Sequence, residues 1–125
     1  MLEEIIVLAD DEPAFLARLG EILGSSGVNI ETFSAYVNDG IGIVHLVVDD
    51  GEDAAEVLSQ NGFKVESSRP ILTATLDDRP GELGRYCRKL TDSGIDISAA
   101  YVMKRGSGET ELIFAVDDLE AAQQA

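Results

Sequence analysis

The chain has 125 residues, 45% of them hydrophobic, and sets 9 Lys and Arg against 24 Asp and Glu for a formal net charge of −15. That length suits one body of two half-sized modules sharing a core; the charge repels phosphate backbones and argues against nucleic acid as a partner; and the single Cys87 excludes an internal disulfide and a cysteine-rich zinc site. No run approaches the roughly 18 apolar residues of a membrane helix, and the opening "MLEEIIVLADDE" carries acids where a secretion signal carries bases, so a cytoplasmic protein without membrane association is expected.

Glu4 to Ala9 is an apolar, β-rich run. An acidic, Pro-containing break follows, and Phe15, Leu16, Leu19, Ile22 and Leu23 then recur at helical spacing until Gly24. "VNIETFSAYV", the turn letters "NDG" and "IGIVHLVV" read as a β-hairpin with strands Val28 to Val37 and Ile41 to Val48. "DDGEDAAEVLSQNG" predicts a short helix with acids in its first turn, where they complement the helix dipole, and "FKVES" a closing strand. The order is β-α-β-β-α-β. "ILTATL" then opens a second pass: a helix with Leu83, Tyr86, Cys87 and Leu90 on one face, the strand "IDISAAYVM", a turn "KRGSG" and the strand "ETELIFAV". "DDLEAAQQA" begins a second helix, and the fourth strand of this pass is absent from the sequence.

The second pass repeats the first. At a shift of 67 positions Asp10, Asp11, Pro13, Leu16, Arg18, Leu23, Ser26, Gly27 and Ile30 match Asp77, Asp78, Pro80, Leu83, Arg85, Leu90, Ser93, Gly94 and Ile97. Further on, "VVDDGE" matches "AVDDLE" at a shift of 68, which we assign to one extra residue in the earlier hairpin. Two modules are expected, at residues 1–68 and 69–125.

A strand, an acidic Pro-Gly turn into a helix and "SGIDI" opening the next strand together resemble the ACT domain, a ligand-sensing module of amino-acid metabolism. Asp78, Arg79, Pro80, Gly81, Glu82 and Leu83 match that family's loop best; the first copy departs from it with Glu12 for Arg79, Ala14 for Gly81 and Phe15 for Glu82. The layout is similar to that of the glycine cleavage system repressor type. The resemblance implies an α+β, ferredoxin-like (βαββαβ) sandwich in two tandem copies, the second lacking its last strand, with copies pairing edge to edge. It also implies an amino-acid site between the strand-helix loop of one copy and the second strand of its neighbour. The ligand-binding candidates are therefore Asp78, Arg79, Pro80, Gly81, Glu82, Leu83, Asp96 and Ile97, with Asp11, Glu12, Pro13, Ala14, Asn29 and Ile30 in the first copy.

The residue types suit that chemistry independently. A helix start presents free N–H groups and the positive end of a dipole to a carboxylate. Pro80 fits a first helical turn, Gly81 leaves the backbone open to approach, and Asp78 or Asp96 offers a partner for an ammonium group. Asp-x-Pro-Gly also serves plain turn and cap chemistry, and the letters alone leave that reading open.

Other functions find less support. His45 has no second His, Cys or arranged carboxylate beside it in sequence and reads as a sheet residue; Cys87, on an apolar helix face, reads as a buried structural thiol; "GSG" at Gly106 to Gly108 reads as a hairpin tip. An RNA-recognition module would need aromatic central strands and a basic surface, a copper carrier two loop cysteines, and an acylphosphatase-type enzyme a phosphate loop free of carboxylates. The expected protein is a non-enzymatic sensor without cofactor or metal, binding a small-molecule amino acid, forming a homodimer and regulating a metabolic enzyme or regulator. A ligand-free assembly module that docks on a biosynthetic enzyme is the alternative, and no nucleic acid or membrane partner is expected.

Overall fold

The computed structural model describes residues 1–10 and 12–125. The chain forms two units, Met1–Pro70 and Ile71–Ala125. The first contains β1 (Glu3–Asp10), α1 (Phe15–Ser25), β2 (Ile30–Asn38), β3 (Ile41–Val48), α2 (Gly51–Gln60) and β4 (Lys64–Pro70). Its antiparallel sheet has the order β2-β3-β1-β4. The second contains β5 (Leu72–Asp77), α3 (Glu82–Asp92), β6 (Ile97–Gly106), β7 (Glu109–Val116) and α4 (Leu119–Gln124), its sheet ordered β5-β7-β6. Both units are α+β and ferredoxin-like, and the second has three strands among the described residues.

Alternation along each strand decides what lies under the helices. In β1 and β3, Ile5, Val7, Val44, Leu46 and Val48 face Leu19 and Leu23 of α1 and Leu58 of α2. In the second unit Leu72, Leu112 and Phe114 meet Leu90 of α3 and Ala122 of α4. The Phe114 ring lies 5.3 Å from that of Tyr86, and burying such a ring stabilises the fold by about 2–3 kcal/mol. Each unit has a core cluster under its helices.

Both hairpins close with two-residue turns in the left-handed region, Asp39-Gly40 (φ 51° and 76°) and Ser107-Gly108 (φ 55° and 77°), which match the twist of their strands. The turn expected over "KRGSG" is therefore shorter than five residues, and Lys104 and Arg105 belong to β6. β2 and β6 share a bulge near their starts, between Ile30 and Thr32 and between Ile97 and Ala99. β6 has a second one between Val102 and Lys104. Met103 is accordingly the residue that lengthens the repeat from 67 to 68, so the extra residue lies in the later hairpin and not in the earlier one.

His45 also differs from expectation, because a carboxylate is arranged beside it. Glu4, fully buried on β1, has Oε2 3.1 Å from His45 Nδ1 and Oε1 3.6 Å from Arg69 Nη2. No group of three or more His, Cys, Asp or Glu able to hold a metal occurs among the described residues. Nor is any described helix long and apolar enough to cross a membrane.

Candidate functional site

The four helices start in two different ways. Asp50 caps α2 by accepting from Asp53 N at 3.1 Å, and Asp118 caps α4 by accepting from Ala121 N at 3.0 Å. α1 and α3, which follow the repeated acidic-Pro loops, have no side-chain cap. Gly81 is the N-cap residue of α3 at φ 90°, so Pro80 stands just before the cap and not in the first turn. A Cβ at Gly81 would meet nothing within 4 Å, so the approach to the helix start is open.

The side chain expected to cap α3 is engaged elsewhere. Asp78 accepts a bidentate pair of bonds from Arg105, Nη2 to Oδ1 at 2.7 Å and Nε to Oδ2 at 3.1 Å, while its N–H donates to Gly108 O at 2.9 Å. The Arg105 hydrogen bonds hold the Asp78 carboxyl below its ordinary range, and Asp78 in turn raises the Arg105 guanidinium. Glu82 accepts from Arg79 Nε at 3.1 Å and Arg85 Nη1 at 2.8 Å, and Arg79 also lies 3.4 Å from Asp77. Between α3 and the β5-β7-β6 sheet Asp77, Asp78, Arg79, Glu82 and Arg105 rim a cleft of about 210 Å³ floored by Leu76, Leu83, Val102 and Leu112, with Thr110 on its wall. Leu83, expected on the core face of α3, is 52% exposed, and Val102 is 47% exposed.

Of the candidates in the second copy, Asp78, Arg79, Glu82 and Leu83 line this cleft, while Pro80 and Gly81 form the turn leading into it. Asp96 and Ile97 do not join them. Asp77 pairs with Glu109 but Ile97 with Val116, seven residues along β7, or roughly 24 Å. Asp96 is tied there by its N–H to Asp117 Oδ1 at 2.9 Å. No ligand of amino-acid size spans both ends of one unit.

The first unit repeats this division. Ile30 pairs with Val48, at the end of β3 opposite to Ile41, which pairs with Asp10. Asn29 lines an acidic recess with Glu31, Asp49, Asp50 and Asp53. Asp11 lies outside the described residues. Glu12, Pro13 and Ala14 form the turn into α1, and Glu12 holds Arg18 Nη1 at 2.6 Å. Here the space under the helix start is occupied: the Phe15 ring packs so closely on Gly42 that a Cβ there would lie 2.8 Å from it. Arg18 stacks over the Phe63 ring at 4.9 Å.

The residue missing from the sequence-based set is Arg105, whose counterpart in the first copy, by strand register, is Val37. The two-residue "SG" turn was the signal that would have placed it in the strand.

Over residues 2–125 the sequence matches the family described as an ACT domain pair. The chain belongs to this family. ACT domain pairs are regulatory and bind amino acids. No curated protein matches the sequence. Among solved structures, protein BT0572 from Bacteroides thetaiotaomicron is similar with a TM-score of 0.85 at 17% identity, over 98% of this chain and 83% of that one. The ligand-free regulatory subunit of aspartate kinase from Thermus thermophilus follows with 0.72 at 17% identity, over 99% and 91%. That from Thermus flavus gives 0.68 at 18% identity, over 99% and 92%. At these identities the likeness shows the ACT-pair fold.

Proposed function

We propose that this ACT domain pair is a non-enzymatic cytoplasmic sensor that binds an amino acid at the Asp78–Leu83 loop and passes its presence to a partner of amino-acid metabolism. The observation that carries this reading is the open cleft at the uncapped start of α3, rimmed by charges of both signs over an apolar floor. A zwitterion needs one anchor of each sign, and its carboxylate suits free helix N–H groups. The first unit, with Phe15 seated on Gly42, is the weaker site. A partner enzyme or regulator is consistent with the neighbours named as regulatory subunits of aspartate kinase.

The proposed assembly is a homodimer. Within its sheet β5 pairs only with β7 among the described residues, and Leu72 to Leu76 carries neither charge nor proline to guard the outer edge. A second chain covering that edge gives light scattering at twice the monomer mass, weakened by Thr75→Lys; a monomer at all concentrations contradicts it.

A thermal-shift screen of the twenty amino acids tests the sensor reading, since a ligand selective for the folded state raises Tm by mass action. At least one is expected to raise it, and Val102→Trp, which fills the cleft from an exposed strand position, is expected to remove the shift. A shift that survives this substitution places the ligand elsewhere.

A further inference from the structure

Resting on the reading of the α3 cleft as the amino-acid site, we infer that Asp78 and Arg105 form a latch which the ligand opens, and that the ligand carries an uncharged aliphatic side chain. The two sets of charges at the rim differ in how they are committed. Glu82 is shared by Arg79 and Arg85, and Arg79 is also close to Asp77, so that set forms a chain in which each inner member has two partners. Asp78 and Arg105 form a bidentate pair outside that chain, with Thr110 as a further hydrogen-bond partner of Asp78, and its members are 37% and 66% exposed. Exposed pairs are inexpensive to open.

A free amino acid reproduces both halves of this pair. Its carboxylate offers Arg105 the same fork that Asp78 now occupies, and its ammonium offers Asp78 charge-assisted donors in place of the guanidinium. One internal pair becomes two ligand pairs, and the net charge of the cleft is unchanged. The side chain then lies on Leu76, Leu83, Val102 and Leu112. An acidic or basic side chain would bring an uncompensated charge onto that floor, whereas an aliphatic one covers the half-exposed Leu83 and Val102. A volume of about 210 Å³ is below the usual range for drug-sized ligands and suits a metabolite of this size. The first copy has Val37 at the position of Arg105, so the latch belongs to the second unit alone.

Calorimetry on the intact chain with L-leucine, L-glutamate, L-lysine and leucinamide tests this. Leucine is expected to bind at least about tenfold more tightly than glutamate, lysine or leucinamide, the last of which lacks the carboxylate. In Arg105→Met, leucine is expected to weaken to the level of leucinamide, and the distinction between the two to vanish. Arg105→Gln supplies the same comparison if the Met variant does not fold. Wild-type leucine affinity in a folded Arg105 variant, with Val102→Trp still abolishing binding, overturns the latch and leaves the site standing. Tighter binding of glutamate or lysine overturns the aliphatic class. No binding of any of the four probes overturns the inference, and the site falls with it only if none of the twenty amino acids gives a Tm shift that Val102→Trp removes.

Discussion

The two strand-helix loops descend from one pattern yet treat the space beneath their helices in opposite ways. At the start of α1 an aromatic ring fills it: Phe15 is nearly buried and rests on a glycine that leaves it room. At the start of α3 the matching positions hold Glu82 and Thr110, the ring is gone, and a cleft rimmed by Arg105 and Asp78 remains. One copy has put the position to use in its core, and the other has kept it accessible. A duplicated module can therefore separate stability from recognition at equivalent positions, because substitutions of size and charge at two or three sites suffice.

That contrast can be broken most directly at Phe15. Phe15→Ala is expected to destabilise the protein by about 3 kcal/mol through lost burial and the cavity left on Gly42, read from urea unfolding. A loss below about 1 kcal/mol would mean that the ring is not part of the core.

A smaller effect sharpens the difference between the turns. Gly81 has φ 90° and Ala14 φ −101°, so Gly81→Ala is expected to cost about 1–2 kcal/mol, while Ala14→Gly stays below about 1 kcal/mol. Equal losses in thermal melts would show that the two loops share one conformation.

The smallest effect is that of pH on Asp78. Its folded pKa lies below the ordinary 3.8, so its contribution to stability is present above that value and is lost as pH falls through the folded pKa. The Tm advantage of wild type over Asp78→Asn should thus shrink on acidification from about pH 5 to below 3.8. Because the pair is exposed, the change is expected to be slight, and a constant difference across that range would disconnect Asp78 from Arg105.

Much of the architecture was legible because it was written twice. Pro13 and Pro80, Gly27 and Gly94, and the two acid pairs before α2 and α4 mark the same joints in both copies, and each joint has a local cause in turn or cap chemistry. Leu83 was misplaced because helical spacing reports a face without saying how far around the stripe burial extends; the edge of the stripe opens onto the cleft. The Glu4–His45 contact was not legible, since 41 residues separate partners that only the pairing of β1 with β3 brings together. Arg105 was missed because glycine on both sides of Ser107 reads as a loose loop, although two left-handed residues are enough to close the hairpin.

The bulge at Met103 gives the charge on β6 a side. Val102 pairs with Leu112 and Arg105 with Thr110, two positions on the same face, only because one residue between them is left out of the ladder. Straightening the strand with Met103 taken into the ladder would carry either Val102 or Arg105 to the reverse of the sheet, whereas deleting Met103 would leave both on one face, as Ala35 and Val37 are in the first copy. Among relatives of this chain, an arginine aligned with Arg105 would then reach the cleft only where an extra residue in this strand is left out of the ladder, so its spacing to the turn has to be read together with the bulge.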